Sequence, residues 1–327
     1  MKVNVKNLND GLILFLKNKG FSVDDANIIA DNMIYGTSHG YLNHGVERLF
    51  QLLEGLKYNT LSLTSSLHEI KNGFTFKIYN AEKSIGQVTG VKAINEAIEI
   101  SKKLGIGMVG VINSGHLGAL GYYAKIAAQK NCFGIVLSNT SPAAVIPGGK
   151  RKLLGTNPIA YSFPLKNGDY FVADFSTAAI TRGEVIDCKD KNIEIPGDCA
   201  IDKEGNITTD PSKALSGGLL PYGGKIKGSL ISLLIATLTG PLIGGKANNR
   251  VIGTRYMNNS SNKGDIFISI DISQFVDIGY FFDENVSFFE QAIDDVQNFH
   301  IPGTRNISKE VPISEKLYEL LKNNNLL

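Results

Sequence analysis

From about residue 70, short β-rich runs alternate with amphipathic helical segments, and this alternation restricts the possible folds more than any other feature. Strand-like runs occur at FTFKIYN, MVGVINS and FGIVLSNT, and the segments between them, VKAINEAIEISKKL and ALGYYAKIAAQKN, have apolar residues at helical spacing. Alternation at this spacing predicts an α/β layer.

Segments with a helical pattern precede and follow this α/β region in the sequence. Residues 1 to about 60 have apolar residues at helical spacing, and the third helix is predicted over NHGVERLFQLLEGL. The last helix, SEKLYELLKNN, can return to the N-terminal helices. The predicted division is therefore a helical domain of residues 1–70 together with 310–327, and an α/β domain of residues 71–309.

Two further segments have distinctive composition. Residues 186–221 are polar and rich in turn-forming residues, which predicts a segment that runs over the surface. Residues 228–245 contain no charged residue, but Pro241 and the neighbouring glycines shorten the apolar run below the roughly 20 residues of a membrane span. We therefore expect a fully buried helix there and no membrane contact.

Two glycine motifs imitate nucleotide-binding loops. Residues Gly105 to Gly110, GIGMVG, match G-x-G-x-x-G, but they follow a predicted helix and precede a strand, which reverses the order of a Rossmann site. Gly105 is better explained as the end of a helix. In GPLIGGKA, Ala247 occupies the position where a phosphate-binding loop needs Ser or Thr, so a nucleoside triphosphatase is not expected.

Charge and cysteine content exclude several function classes. The chain has 33 Lys and Arg against 31 Asp and Glu, so a nucleic-acid partner is not indicated. Its three cysteines have no C-x-x-C spacing, which favours a reducing cytoplasm over a disulfide framework or a zinc ribbon. No H-E-x-x-H and no G-x-S-x-G motif occurs, so neither a metal site nor a serine hydrolase is predicted.

The first candidate for chemistry is a histidine and an arginine near the third predicted helix. His44 stands at its expected start and Arg48 follows four residues later, so both would project from one helix face. An arginine can bind a carboxylate through two hydrogen bonds, and the field at a helix N-terminus holds a histidine near neutrality. The alternative is a capping segment in which Arg48 forms a surface ion pair with Glu47 or Glu54.

The second candidate is His116, which follows the strand MVGVINS and is flanked by Gly115 and Gly118. Ligands of open α/β sheets lie at the carboxyl ends of the strands, so this position suits an acid–base group. The alternative is a histidine in a solvent-exposed turn.

Several spaced motifs together resemble one family. Asn43 to Leu49, NHGVERL, is similar to S-H-G-V-x-R-L; Asp174 to Val185, DFSTAAITRGEV, is similar to D-M-A-T-S-x-x-A-x-G-K-V. The segment NSGHLGALGYYAKIAAQKN lies between these two motifs, and DKEGNITTDP and LPYGGKIKG follow them, each in the corresponding place. These motifs resemble the malate/L-lactate dehydrogenase family that lacks a Rossmann fold.

The resemblance implies a homodimer with a non-Rossmann α/β domain that binds NAD or NADP and a mostly helical second domain. The implied reaction is reversible hydride transfer that reduces a small 2-oxo acid to a 2-hydroxy acid. By position, His44 would be the proton donor, Arg48 would bind the substrate carboxylate with Asn43 beside it, and His116 matches a second acid–base histidine. The residues implied to line the cofactor are Thr140, Asp174, Phe175, Ser176, Lys225, Lys227 and Gly303.

The chain departs from the family pattern at several of these places. Asn43 replaces a serine, Gly115 replaces an asparagine, Ala178 replaces a serine and Glu184 replaces a lysine. One extra residue before Lys227 leaves open whether Lys225 or Lys227 is the equivalent lysine. Two alternative functions therefore stay open: a reductase of a cyclic imino acid, and a catalytically silent family member that acts as a binding protein.

Overall fold

A computed structural model gives the architecture and describes residues 1–224, 226–304, 308–324 and 326. Its α-helices are α1 (Val5–Asn18), α2 (Val23–Ser38), α3 (Arg48–Lys57), α4 (Gly86–Leu104), α5 (Gly121–Ala128), α6 (Arg182–Asp190), α7 (Pro211–Ser216), α8 (Ile226–Thr239), α9 (Ile278–Asp295) and α10 (Glu315–Lys322). Its strands are β1 (Lys2–Asn4), β2 (His68–Asn72), β3 (Phe76–Asn80), β4 (Ile106–Ile112), β5 (Cys132–Ser138), β6 (Ala144–Val145), β7 (Lys152–Leu154), β8 (Ile159–Pro164), β9 (Tyr170–Phe175), β10 (Ala200–Ile201), β11 (Gly218–Leu219), β12 (Gly264–Asp271) and β13 (Glu310–Pro312).

The main sheet has seven strands in the order β2-β3-β4-β12-β5-β8-β9. Strands β3 and β4 are parallel, and the other neighbouring pairs are antiparallel. Strands β4 and β5, which flank α5 in the chain, do not pair with each other, because β12 lies between them and pairs with both. The fold is therefore mixed α/β, as expected, with a central strand that comes from much later in the sequence.

The two faces of this sheet are covered by different helices. On one face, α4 and α5 pack over a cluster that includes Ile94, Tyr123 and Phe267. On the other face, Ile235 of α8 packs against Ile266 of β12. Because side chains alternate along a strand, the adjacent residues Ile266 and Phe267 belong to opposite faces.

Helix α8 is only half buried, so the expectation of a fully buried helix is wrong. Its buried residues form one stripe that includes Ser232, Ile235 and Ala236, whereas Leu230 and Leu234 are each 56% exposed. The segment Ile226–Ile243 is long and apolar enough to cross a membrane by length and composition, and 44% of it is buried inside the protein. Its small and hydroxyl-bearing residues face the sheet, which is the packing of a core helix with one open side.

The helices of the two chain ends share one hydrophobic core. Leu12 of α1, Met33 of α2, Leu49 of α3 and Leu317 of α10 are all fully buried in it. Strand β1 also pairs antiparallel with β13, so the ends of the chain are joined by backbone hydrogen bonds as well.

The segment 186–221 contains more ordered structure than its polar composition predicted. Ala200 and Leu219 lie in a small four-stranded sheet of order β10-β11-β6-β7, and Ala214 of α7 packs with them in a separate buried cluster. The expectation of a segment that only runs over the surface is therefore wrong, because a few buried alanines and leucines are enough to anchor it.

The two glycine motifs end helices. Gly105 follows the last residue of α4 with a φ of 87°, and its N–H donates to the Ser101 carbonyl. This backbone conformation favours glycine, so the predicted helix end is confirmed. After α8, residues Pro241–Ile243 form a 3-10 turn that Gly244 closes with a φ of 80°.

Candidate active site

Two histidines that are distant in sequence lie side by side. His44 ends the 3-10 turn Leu42–His44 before α3, and His116 lies in the loop between β4 and α5. Their rings stack with centroids 5.5 Å apart and 24° between the planes. Gly86, at the start of α4, lets the helix pack closely against the loop of His116, because a Cβ there would lie only 2.3 Å from the His116 carbonyl oxygen.

The local geometry of His44 differs from the sequence prediction. Helix α3 begins at Arg48, and Gly45 has non-helical backbone angles (φ −101°, ψ −147°) that separate the turn of His44 from the helix. The two side chains therefore do not project from one helix face, yet they remain electrostatic neighbours. Burial, followed by the positive charge of Arg48, lowers the pKa of His44 to about 4.

Arg48 is held in place by its neighbours. Its Nε donates to the Asn43 carbonyl oxygen, and its Nη1 donates to Gln51 Oε1 at 3.1 Å. Gln51 in turn donates to the Thr254 carbonyl oxygen. A guanidinium has five N–H donors, so Arg48 is oriented by two of them and keeps the others for a ligand.

One backbone contact selects the tautomer of His116. The Gly118 N–H donates to His116 Nδ1 at 2.9 Å, so Nδ1 is an acceptor and the neutral ring carries its proton on Nε2. Burial is the main cause that lowers the pKa of His116 well below its usual range, and Arg48 and His44 add to it. Both histidines are thus neutral near pH 7.

A pocket opens beside Arg48 and His116. Its lining also includes Gln51, Thr254 and Met257. The cation of Arg48 and the ring of His116 therefore face the same concave surface, which is the usual setting of a small-molecule site.

Thr140 belongs to a set of threonines near the end of β5. The Thr156 N–H donates to Thr140 Oγ1 at 2.9 Å, and the Thr177 N–H donates to the Thr156 carbonyl oxygen at 2.9 Å. These contacts bring Thr140 close to the segment that follows β9, where three other predicted cofactor residues lie.

Those three residues are Asp174, Phe175 and Ser176, at the end of β9. Asp174 Oδ2 accepts the Gly121 N–H at 2.8 Å, which caps α5, while burial raises the pKa of this carboxyl to about 6. The Phe175 ring is 44% exposed. Ser176 Oγ accepts the Ala178 N–H at 3.3 Å, so it stabilises the turn after the strand.

The remaining residues predicted to line the cofactor are Gly303, Lys225 and Lys227. Gly303 lies against β9, since a Cβ there would stand 2.7 Å from the Val172 nitrogen, and its φ of 96° favours glycine. Lys227 is exposed in the first turn of α8. Lys225 lies outside the described residues. The Tyr222 N–H donates to the Thr177 carbonyl oxygen at 2.9 Å, which places the chain before α8 beside the segment after β9.

Asn43 connects the turn of His44 with helix α6 and with Arg48. Its side chain packs against α6, where a Cβ on Gly183 would lie 1.9 Å from Asn43 Nδ2. The Asn43 backbone carbonyl, rather than the amide group, is what orients Arg48.

Two arginines near Arg48 were not identified from the sequence. Arg255 contributes to lowering the pKa of Arg48 to about 10, after burial, and it also lowers the pKa of Arg182. Arg182 lies inside a family-like motif, which was a usable signal. Arg255 had no such signal, because the loop that carries it has no recognisable pattern.

A buried ion pair beneath His116 was also missed. Lys263 Nζ lies 2.5 and 2.7 Å from the two carboxylate oxygens of Asp265, and it donates to Ser138 Oγ at 3.2 Å. Lys263 is 5% exposed and Asp265 is fully buried. Lysine and aspartate two residues apart in a strand-like segment give no sequence signal that both side chains are buried.

Comparisons with known proteins identify a family and related solved structures. A family model described as malate/L-lactate dehydrogenase matches residues 3–319. The chain is 38% identical over 320 residues to malate/(S)-sulfolactate dehydrogenase of Methanothermus fervidus, covering 95% of this chain and 93% of that protein. It is 30% identical to (2R)-3-sulfolactate dehydrogenase (NADP(+)) of Chromohalobacter salexigens, covering 86% and 83%. The solved sulfolactate dehydrogenase of Methanocaldococcus jannaschii superimposes with a TM-score of 0.87 at 32% identity, covering 100% of this chain and 97% of that one.

Proposed function

The chain belongs to the malate/L-lactate dehydrogenase family, and we propose the residues with which it performs the reaction of a 2-hydroxy-acid dehydrogenase. It is an NAD(P)-dependent oxidoreductase that reduces a small 2-oxo acid and oxidises the 2-hydroxy acid in reverse. The names of its relatives specify malate, sulfolactate or ureidoglycolate as substrate, and NAD(+) or NADP(+) as cofactor. The observation that carries the assignment of roles is the stacked pair His44 and His116 beside the oriented guanidinium of Arg48.

Arg48 binds the substrate carboxylate. Its Nε and Nη1 are already engaged, so the guanidinium meets the acid without having to reorient. Charge-assisted hydrogen bonds between arginine and a carboxylate are among the strongest that a side chain forms. Holding this end of the acid positions C2 for the reaction.

His116 donates a hydrogen bond to the 2-oxo group from its neutral ring. An imidazolium would need a proton on Nδ1, where the Gly118 N–H already points, so two donors would face each other. His116 therefore polarises the carbonyl through Nε2–H and does not transfer the proton.

His44 is the proton donor. In the free protein its pKa is about 4, lowered by burial and by Arg48. A substrate carboxylate that pairs with Arg48 removes the second of these causes, so substrate binding raises the pKa of His44 and favours uptake of a proton. The proton then passes from His44 to the developing alkoxide, and in the oxidation direction neutral His44 accepts it back.

The residues around the end of β9 fit a dinucleotide. Phe175 is an exposed ring, Lys227 is an exposed cation, and Gly303 lets backbone approach closely, while Thr140 and Ser176 supply hydroxyl groups. The bound nicotinamide ring supplies or accepts the hydride. These features support residues 71–309 as the cofactor-binding domain and residues 1–70 with 310–327 as the helical domain.

The open face of α8 supports a homodimer. Leu230, Leu233, Leu234 and Leu242 are 44 to 56% exposed, which is unfavourable unless another apolar surface covers them. A second copy of the chain is the proposed cover, and light scattering after size exclusion would detect it. Leu230→Asp with Leu234→Asp should then yield a monomer. Because Cys132, Cys188 and Cys199 are free thiols, a reducing cytoplasm is the proposed compartment.

The decisive experiment for the reaction is a spectrophotometric screen at 340 nm. NADH and NADPH are each tested with pyruvate, oxaloacetate, sulfopyruvate, diketogulonate and cyclic imino acids. We expect oxidation of at least one cofactor with a 2-oxo acid. Turnover of cyclic imino acids alone, or of no compound despite cofactor binding, would contradict the proposed reaction.

A further inference from the structure

Three arginines from different parts of the chain are neighbours: Arg48 lines the pocket, and Arg255 interacts electrostatically with both Arg48 and Arg182. Arg48 begins α3, Arg182 begins α6, and Arg255 lies in the loop before β12. Contacts between their immediate neighbours account for this. Asn43, which binds Arg48, packs against Gly183, and Gln51, which also binds Arg48, donates to the Thr254 carbonyl oxygen.

The chain supplies no counter-charge to this group. In the described part of the chain, no ion pair involves Arg48, Arg182 or Arg255. The Arg182 Nε is buried without a hydrogen-bond partner, and Arg255 lies over the ring of Tyr256 at 5.8 Å. By contrast, Lys152 nearby is occupied, since its Nζ donates to the carbonyl oxygen of Leu215.

The electrostatic cost of this arrangement is visible in the pKa values. Burial lowers the pKa of Arg48 and of Arg182, and the positive charge of Arg255 lowers each of them further. Burial also lowers the pKa of Lys152, with smaller contributions from Arg182 and Arg255. No carboxylate acts against these effects. Like charges held together without a partner are unfavourable in the free protein, and an anion bound among them would relieve the repulsion.

We propose that Arg182 and Arg255 form a second anion subsite, which binds the carboxylate or sulfonate on C3 of the 2-oxo acid. The inference rests on the proposed function, because it takes Arg48 as the ligand of the C1 carboxylate. Two separate cationic positions select an acid with two anionic groups over one with a single group. Arg182 and Arg255 are therefore the residues that determine specificity for dianionic substrates.

An anionic group in this place could also come from the cofactor, whose phosphates carry the same charge. The contacts favour the substrate. Arg255 and Arg182 adjoin the residues that orient Arg48, whereas the pKa of Asp174, at the end of β9, responds to burial and to the α5 backbone and to neither arginine. The subsite thus lies with the acid-binding group.

The test compares two substrates that share the reacting centre. Steady-state reduction is measured with oxaloacetate, a dianion, and pyruvate, a monoanion, for the wild type, Arg182→Gln and Arg255→Gln. Because a hydrogen bond to a charged group contributes about 1.5–3 kcal/mol, the ratio of kcat/KM for oxaloacetate to that for pyruvate should fall about 10- to 100-fold in each variant. Arg250→Gln is the matched control, since Arg250 is an exposed arginine of the same loop.

Three results would overturn the proposal. An equal fall in kcat/KM with oxaloacetate and with pyruvate would mean that the arginines do not bind the second anionic group. If Arg250→Gln lowers the ratio of kcat/KM values by the same factor, the overall positive potential of the loop, and not a specific contact, would explain the preference. A weaker Kd for NADH or NADPH, measured by fluorescence titration, with an unchanged substrate ratio would assign the arginines to the cofactor phosphates.

Binding of non-reacting acids separates this inference from the proposed function. Calorimetry with succinate and propionate in the presence of cofactor needs no turnover. Succinate has two carbons between its carboxylates, as oxaloacetate has, and we expect it to bind the wild type about 10- to 100-fold more tightly than propionate and to lose that advantage in Arg182→Gln and Arg255→Gln. If the wild type reduces no 2-oxo acid but retains this preference, the proposed reaction fails and the subsite stands; equal binding of the two acids overturns the subsite.

Discussion

Two groups of charge lie near His116, and they differ in whether the chain supplies the opposite charge. Lys263 and Asp265 are buried together and neutralise each other through short hydrogen bonds. Arg48 lines the pocket and has Arg255 as an electrostatic neighbour, as does Arg182, and among the described residues no carboxylate forms an ion pair with any of these three arginines. A buried ion pair in which both charges are supplied by the chain serves the structure, whereas cations without a counter-charge from the chain are available to bind an anionic ligand.

The largest loss of activity should come from removing His44, the proposed proton donor beside Arg48. His44→Ala should reduce kcat for 2-oxo-acid reduction by about 10²- to 10⁴-fold, because proton transfer to the alkoxide loses its donor. Stopped-flow or steady-state assays at 340 nm measure the loss. His116→Ala should lose less, since it removes one hydrogen bond to the carbonyl.

The control for this comparison is His68→Ala, because His68 is exposed on β2 and hydrogen bonded to Ser66. It should leave kcat unchanged. A greater loss in His116→Ala than in His44→Ala would reverse the two roles.

The next largest effect should be on stability, from breaking the buried ion pair of Lys263 and Asp265. Asp265→Asn leaves Lys263 buried without its counter-charge, so the free energy of unfolding should fall by about 3–5 kcal/mol. Urea-induced unfolding measures it. The double variant Lys263→Met with Asp265→Leu should recover most of the loss, because apolar side chains of similar volume replace a buried pair with little cost.

The exposed pair Lys6–Asp10 is a matched control. Asp10→Asn should change the free energy of unfolding by no more than about 0.5 kcal/mol. A comparable loss in Asp10→Asn and Asp265→Asn would mean that burial does not distinguish the two pairs.

A smaller effect is expected in the pH dependence. Since the pKa of His44 is lowered to about 4, the ring is neutral, and thus a competent base, at all pH values above about 5. The kcat/KM for oxidation of the 2-hydroxy acid should therefore not show the tenfold fall by pH 5.5 that an ordinary histidine with a pKa near 6.5 would cause.

Asp174 has a pKa raised to about 6 and could add its own inflection, so the profile is repeated with Asp174→Asn. That variant keeps an oxygen to accept the Gly121 N–H. A fall near pH 6.5 that persists in Asp174→Asn would contradict the lowered pKa of His44.

The smallest expected effect is an increase in stability. Arg182→Gln removes one positive charge from the group of three arginines, so the free energy of unfolding should rise by less than about 1 kcal/mol while activity falls. Thermal unfolding without ligand measures the rise. Destabilisation would mean that Arg182 has a structural role like that of Lys263.

Much of the local structure was predictable from a few residues. The positive φ of Gly105 ends α4 where the helical pattern stops, and a mixed α/β fold follows from the alternation of strands and helices. Predictions failed where distant partners decide the result. Helix α3 starts at Arg48 and not before His44, and α8 buries only one side because the sheet covers only one side.

By itself, the sequence determined the family and the reaction class, and it offered His44, Arg48 and His116 as candidates for the site, because family motifs and local patterns extend over a few neighbouring residues. Only the tertiary structure decided that His44 stacks on His116, that β12 separates β4 from β5, and that Arg182 and Arg255 join Arg48. These contacts span tens to hundreds of residues. They depend on how helices and strands pack, and no local preference of the chain specifies that packing.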